Sequence, residues 1–311
     1  MTGRGIVAIS VSDGPDLQTF GFLPQHLRRL LAAVAGSTLR AGWRVGYGGD
    51  LRTDGFTRSL LADMAAGYAR GMFEQRPEAP IVHFFALPSW RDMGPTAILN
   101  HLLDKELKPG EAPIAPIIET RFFLPKGGEP FIAVVAQDGR LRRAEGATPI
   151  EEAQLLEILG HAQRQEMVDP AAALTAMRQA MGAACRLRVQ FSGRVDGYAG
   201  ALPGIFEEAI EQIRSKGIVL PLGAYGGAAR EVAIALGLLR AERVRYPSYG
   251  RRYEEAYAQL ESMAGVHEET AAPVWRELVE TAGLAAPHHI VFHLNAVLAK
   301  LAGDEPERYQ R

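Results

Sequence analysis

The chain has 311 residues, 47% of them hydrophobic and 23% charged, with a formal net charge of −2. Those values suit a globular protein with a full core, built as one large domain or as a core domain with an appendage. A slightly acidic chain is a poor match for nucleic acid or an anionic bilayer, so neither is an expected partner.

No apolar run is long enough to span a membrane, and Met1-Thr2-Gly3-Arg4-Gly5 leads into a strand with no apolar leader, so a cytoplasmic location is expected. The single cysteine, Cys185, excludes an intramolecular disulfide and reads as a buried thiol beside Ala183 and Ala184. Arg140-Leu141-Arg142-Arg143 and Arg251-Arg252 read as solvated faces.

Ile6 to Val11 is a β-branched run that predicts a first strand buried on both faces. Leu23, Leu27, Leu30, Leu31 and Val34 recur at helical spacing after it. Trp43 to Tyr47 predicts the second strand, with Thr57 as cap of a helix through Leu60, Leu61, Met64 and Tyr68. Ile81 to Leu87 predicts a third strand, and a helix follows over Thr96 to Leu107. Residues 108–148 read as an elaboration on one sheet edge. Within it, Ile114 to Ile118 is one strand and Phe131 to Ala136 another, between Pro125-Lys126-Gly127-Gly128 and a turn at Asp138-Gly139.

Helices are expected over Ile150 to Glu166 and Pro170 to Ala184, the second capped by Asp169. Strands at Leu187 to Phe191 and Ile218 to Leu222 flank a helix starting near Pro203, and a helix through Val232, Ala235 and Leu236 follows. The last sixty or so residues read as helices. Strands alternating with helices predict an α/β, Rossmann-like, doubly wound and mainly parallel sheet. Residues 1–250 would form it, and a helical extension over 251–311 would pack on the same domain.

Two paired-glycine turns, Tyr47-Gly48-Gly49-Asp50 and Ala224-Tyr225-Gly226-Gly227, each follow a strand and open a helix. Such turns leave amides uncovered at the positive end of a helix, where phosphate binds, or they merely tighten a strand–helix connection. Right-handed crossovers would put both at the carboxyl edge of one sheet, bordering a shared cleft.

Tyr47-Gly48-Gly49-Asp50-Leu51-Arg52 with Gly55-Phe56-Thr57 resembles the second-strand motif of the SLOG superfamily, the Rossmann-like group containing the LOG phosphoribohydrolases and the DprA/Smf proteins. Met177-Arg178-Gln179-Ala180-Met181 is similar to the LOG helix that supplies a functional arginine. Gly200-Ala201-Leu202-Pro203-Gly204-Ile205-Phe206-Glu207-Glu208 is similar to its glycine-rich turn and following glutamate. The resemblance spans roughly residues 5–240 and is stronger to a prokaryotic branch associated with nucleotide signalling and conflict systems. Two departures stand out: Ser192-Gly193-Arg194 and Pro203-Gly204 replace the compact LOG glycine turn, with Ile205 for its threonine, and Gln179 stands where LOG enzymes carry lysine.

The resemblance implies a site built from Ser10, Ser12, Gly48, Gly49, Asp50, Thr57, Ser192, Gly193, Arg194, Gly204, Gly226 and Gly227, with Arg178, Glu208 and its neighbour Glu207 as catalytic candidates. Arg178 would grip a phosphate or form a surface ion pair. Glu208 would activate water or steady a ribosyl cation, or simply complement a helix dipole. Ser10 and Ser12 would bond phosphate or ribose or serve a plain turn, and Asp50 would accept from ribose hydroxyls or cap its turn. Tyr47, Tyr198 and Tyr225 would stack on a base or cover the sheet. His289 and His293 have helical metal-ligand spacing but lack a third ligand, so no metal is expected.

The implied function is binding or sensing of a nucleotide or an NAD-derived, ADP-ribose-like ligand in signalling or antiviral defence; the alternative is a nucleotide N-glycosidase. A homodimer and an effector protein are the expected partners, and no separate cofactor is implied.

Overall fold

Runs rich in β-branched and aromatic residues form the centre of one eight-stranded sheet, with Arg44 and Arg188 among the charged residues that interrupt them. The structure is a computed structural model that describes residues 4–51, 55–124, 130–137, 139–164, 169–198, 200–244 and 250–303. Arg52, Pro125 to Gly128, Asp138, Glu166 and Ala199 lie outside the described residues.

The strands are β1 (Ile6–Ser12), β2 (Arg44–Gly48), β3 (Ile81–Ala86), β4 (Ile118–Phe123), β5 (Ile132–Gln137), β6 (Arg140–Arg143), β7 (Cys185–Ser192) and β8 (Ile218–Leu222), in the order β6-β5-β4-β3-β2-β1-β7-β8. From β4 through β8 neighbouring strands are parallel, whereas β5 and β6 add antiparallel pairings at one edge. The chain runs outward from β1 to β4 and resumes on the other flank with β7 and β8. The order therefore reverses between β1 and β7, the point where open α/β sheets bind ligands.

Side-chain alternation divides the strands between two helical layers. Val7 and Ile9 pack with Leu27, Leu30 and Leu31 of α1 (Pro24–Arg40) and Leu60 and Leu61 of α2 (Phe56–Ala69). Ile6 and Ala8 face the other way, onto Met177 and Met181 of α6 (Pro170–Ala184). Asp169 caps α6 by accepting from the Ala171 amide at 2.9 Å, as its sequence predicts. Helix α6 lies close to the sheet because β2 presents only glycines to it. A Cβ on Gly46 would stand 2.9 Å from Ile6 Cγ2, and one on Gly48 3.3 Å from Met177 Cε.

Several boundaries differ from the sequence expectations. The fourth strand starts where Ile114 to Ile118 was expected to end, because Pro116 falls in a short 3-10 turn over Ala115–Ile117. Helix α4 (Pro95–Leu102) stops short of Leu107, and α3 (Leu87–Arg91) precedes it, anchored by buried Trp90 against the Phe122 ring at 5.7 Å. Helix α5 spans Glu152–Gln163. Thr57 does not cap α2: Gly55 holds that position, and Thr57 is buried one residue inside the helix.

After β7 come α7 (Gly204–Arg214), β8 and α8 (Gly227–Ala235), then α9 (Arg251–Ser262), α10 (Ala264–Ala271), α11 (Trp275–Ala282) and α12 (Pro287–Ala302). The last helices fold back onto the sheet domain. Ser37 Oγ of α1 donates to Asn295 Oδ1 of α12 at 2.6 Å, and the Val219 amide of β8 donates to His267 Nε2 of α10 at 3.0 Å. No helix among the described residues is long and apolar enough to cross a membrane.

Helices α6 and α7 touch at their backbones: a Cβ on Gly182 would lie 2.7 Å from the Glu211 carbonyl oxygen. Gly182→Ala must therefore push the helices apart, and overpacking of this kind costs about 1–3 kcal/mol. Urea unfolding of the variant checks this; an unchanged midpoint would contradict it.

Two fully buried histidines are kept neutral by their surroundings. Burial pushes His83 down to about 4 and His267 to about 4, each against a partial opposing pull from its backbone hydrogen bond. His267 Nε2 accepts an amide, so a proton there would face another N–H. The folded pKa values lie below the unfolded value near 6.5, so protons favour the unfolded chain as pH falls. Stability is then full above about pH 6.5 and declines towards pH 4, by up to about 1.4 kcal/mol per pH unit for each histidine. Denaturation at pH 7, 6 and 5 should give a falling series, and a flat one would contradict the assignment.

Candidate functional site

The loop after β1 closes one side of the switch point. Asp16 Oδ1 accepts from the Gly227 amide at 2.8 Å, and the Gly193 carbonyl accepts from the Ala228 amide at 3.0 Å. Phe20 lies under the Arg230 guanidinium at 4.9 Å, and Phe22 stacks on Tyr225 at 4.3 Å. Gly227 has a φ of +63°, and a Cβ there would meet the Gly193 carbonyl oxygen at 2.6 Å, so glycine is required by packing as well as by conformation. The helix end that would suit an anion is thus occupied by the protein's own carboxylate. The Gly226-Gly227 turn shares the carboxyl edge of the sheet with Gly48-Gly49, but it is buried.

The open side faces α6 and α7. Helix α7 begins at Gly204 behind Pro203, and no side chain caps it. Arg178 of α6 lies against that first turn: a Cβ on Gly204 would stand 2.9 Å from its Nη2, and one on Gly200 2.6 Å from its Nη1. Arg178 Nη1 pairs with Glu207, whose other oxygen accepts from Thr175 Oγ1. Glu208 Oε1 lies 3.8 Å from Arg178 Nε, and its Oε2 accepts from Arg188 Nη1 at 3.1 Å. Arg188 also donates to Ser10 Oγ at 2.8 Å and to Gln212 Oε1 at 3.4 Å, while Gln190 Nε2 ties the Ile205 carbonyl of α7 to β7 at 2.8 Å.

Two arginines and two glutamates are interlocked here with no net charge. Arg188 is fully buried (0% exposed), while the Glu208 side chain keeps 13% of its surface at the rim. Arg178 Nε and Arg188 Nη2 are buried donors that make no hydrogen bond, although Arg178 Nε keeps its 3.8 Å ion pair with Glu208.

Gly48 meets Met177, the residue before Arg178, so the first glycine turn borders this cluster. Gly49 is held by contacts of its own: a Cβ there would lie 2.6 Å from Thr57 Oγ1 and 2.9 Å from the Tyr47 ring. The Gly49 carbonyl meets His83 Nε2 at 2.9 Å, which fixes the direction of the turn. Thr57 also bonds the Tyr47 hydroxyl, whose pKa burial raises first and the nearby charges of Glu208 and Asp50 raise further.

The structure thus gathers Gly48, Gly49, Asp50, Arg178, Gly204, Glu207 and Glu208 around the start of α7. Ser10 lies beneath them as an acceptor for Arg188. Ser12 holds the β7 loop, accepting from the Gly193 amide on its carbonyl at 2.9 Å and from the Arg194 amide on Oγ at 3.2 Å. Ser192 is buried with φ +58°, and its hydroxyl has no partner. Thr57 supports the turn from behind, and Gly226 and Gly227 stand apart under Asp16. Arg178 makes a buried ion pair rather than a surface one. Tyr47 and Tyr225 cover the sheet, and Tyr225 donates to the Ala285 carbonyl at 2.6 Å. Tyr198 is half-buried in the loop before α7. Cys185 is buried, and burial pushes its thiol up to about 12. Among the described residues no group of three potential ligands could hold a metal ion.

Sequence reasoning missed Arg188 and Asp16. Arg188 carried a usable signal: Arg188 and Gln190 alternate with Leu187, Val189 and Phe191, a polar face on a strand buried on both sides. Asp16 gave none, since its partner Gly227 is 211 positions away.

A family model described as SLOG cluster2 matches residues 3–113 and 137–288. The interval between the two stretches holds β4 and most of β5, at the edge farthest from the switch point. No curated protein and no solved structure matches the chain. The matched stretches contain both glycine turns, Arg178, Arg188, Gly204, Glu207 and Glu208, set on a doubly wound sheet of the kind that the SLOG resemblance implies. The chain belongs to the SLOG cluster2 family and is a nucleotide-related protein of Rossmann-like fold.

Proposed function

We propose that this protein binds a nucleotide or an NAD-derived, ADP-ribose-like molecule at the start of α7 and acts as a sensor of that ligand in a signalling or defence system. The observation that carries this reading is the uncapped first turn of an 11-residue helix, with Arg178 held against it and the Gly48-Gly49 turn alongside. Oriented amides and a guanidinium suit a phosphate dianion. Arg178 and Arg188 balance Glu207 and Glu208 in pairs, so the cluster adds no net repulsion and the first-turn amides carry the attraction. Asp50, on the neighbouring turn, suits ribose hydroxyls. A homodimer and an effector protein belong to the same proposal; exposed Phe292 and Val279 on the C-terminal helices offer apolar surface for such contacts.

One observation favours an N-glycosidase as the second reading. Glu208 does not turn away to solvent. It is aimed by Arg188, stands 3.8 Å from Arg178 and keeps an exposed edge, as a carboxylate that activates water beside a ribosyl centre must.

Calorimetry with AMP and ADP-ribose separates these readings. Wild type should bind at least one of them, Arg178→Gln should bind at least about tenfold more weakly through loss of charge-assisted bonds, and Glu208→Gln should retain its affinity. Circular dichroism on each variant checks that the fold survives. Release of free base by wild type, reduced by about two orders of magnitude in Glu208→Gln, would establish the hydrolase instead. Failure of wild type to bind either nucleotide would contradict the binding reading.

A further inference from the structure

A second cavity lies on the opposite side of the sheet, between α2, the end of α4 and the loop that leads to β4. Its volume is about 910 Å³, within the range that encloses a small molecule. Helix α2 gives it a smooth wall, because Ser59, Ala62 and Ala66 recur there at helical spacing. The wall begins at Gly55, beside the uncapped first turn of α2.

The charged groups around this cavity divide by sign. The acids are used by the protein: Asp104 accepts from the Ala115 amide at 2.7 Å, Glu111 from the Lys108 amide at 3.0 Å, and Glu106 from Asn100 Nδ2 at 3.2 Å. The bases are not. The Arg58 guanidinium and the Lys108 ammonium have no hydrogen-bond or ion-pair partner among the described residues, although both line the cavity. Arg28 reaches in from α1 over the Phe56 ring at 5.8 Å.

His101 also lines the cavity, and its Nε2 is buried with no partner. Burial, with smaller contributions from His83 and Arg58, pushes the imidazole down to about 3, so the ring is neutral at ordinary pH. The ring lines the cavity, and its Nε2, buried just inside the wall, is left by the protein without a hydrogen bond. Arg28, Arg58 and Lys108 balance Asp104, Glu106 and Glu111 in charge, but the acids are turned to neutral donors of the protein while Arg58 and Lys108 are left to meet an anion with a polar body.

From this we propose that the cavity between α2 and α4 is a second ligand site, taking the phosphate monoester of a small organic molecule, with Arg58 and Lys108 on the phosphate and His101 on the body. It is separate from the site at α7: it is built on the other face of the sheet and shares no residue with it.

Histidine-labelled full-length protein, with the His101 resonance assigned from a His101→Gln sample, tests this directly. Ribose 5-phosphate should shift the His101 signal in a saturable titration, and Arg58→Gln combined with Lys108→Gln should weaken that titration at least tenfold. The shift should survive in Arg178→Gln, which keeps the result independent of the α7 site. Inorganic phosphate should bind at least tenfold more weakly than the sugar phosphate; equal affinity would overturn the role of the organic body. An unmoved His101 signal, or a double variant that titrates like wild type, would overturn the site itself.

Discussion

The structure turns on a buried guanidinium. Arg188 sits on β7 with no solvent exposure, so its charge survives only because Glu208, Ser10 and Gln212 surround it. Breaking such a buried pair from one side costs about 3–5 kcal/mol, which makes these contacts a constraint on everything nearby. Glu208 must point inward, α7 must start where it does, and Glu207, one residue earlier, is left to pair with Arg178. A charged network with no net charge thus holds the start of α7 and the middle of α6 in register with the sheet. The open first turn of α7, and the arginine set against it, follow from that placement.

The two glycine turns look alike in sequence and end differently in space. Both follow a parallel strand at the carboxyl edge, but only the second opens a helix directly, since α2 begins at Phe56. At the second, Asp16 supplies the anion that the helix end favours, so electrostatic complementarity is satisfied within the chain. At the first, Gly49 is required by its contacts with Tyr47 and Thr57, and Gly48 lies beside Met177 next to Arg178. A glycine pair therefore signals close backbone approach, and at both turns what approaches is the protein itself: Tyr47, Thr57 and Met177 at the first, Asp16 and the Gly193 backbone at the second.

The strands of the parallel sheet were legible because each carries β-branched or aromatic residues at strand spacing, even where a charge interrupts them as Arg188 does in β7, and Asp169-Pro170 marked the start of α6 through local capping chemistry. The reading failed where long-range contacts override local pattern. Thr57 is a good capping residue by type, yet the preceding glycine takes that position and the hydroxyl turns inward to Tyr47. Trp90 and α3 were hidden because a five-residue helix has too little periodicity to register. Of the candidate site, Arg178, Gly204, Glu207 and Glu208 were singled out by their resemblance to LOG motifs, and the structure brings them together. Ser10 was legible as a residue but not in its role, since its partner Arg188 lies 178 positions on.

In the proposed binding mode the phosphate of a nucleotide-type ligand sits on the first turn of α7 beside Arg178. A crystal structure of the protein with AMP or ADP-ribose tests it most directly. The phosphate oxygens should lie within hydrogen-bond distance of the Gly204 and Ile205 amides, with the ribose towards Gly49 and Asp50. A phosphate found instead at Gly226-Gly227, displacing Asp16 from the Gly227 amide, would contradict it.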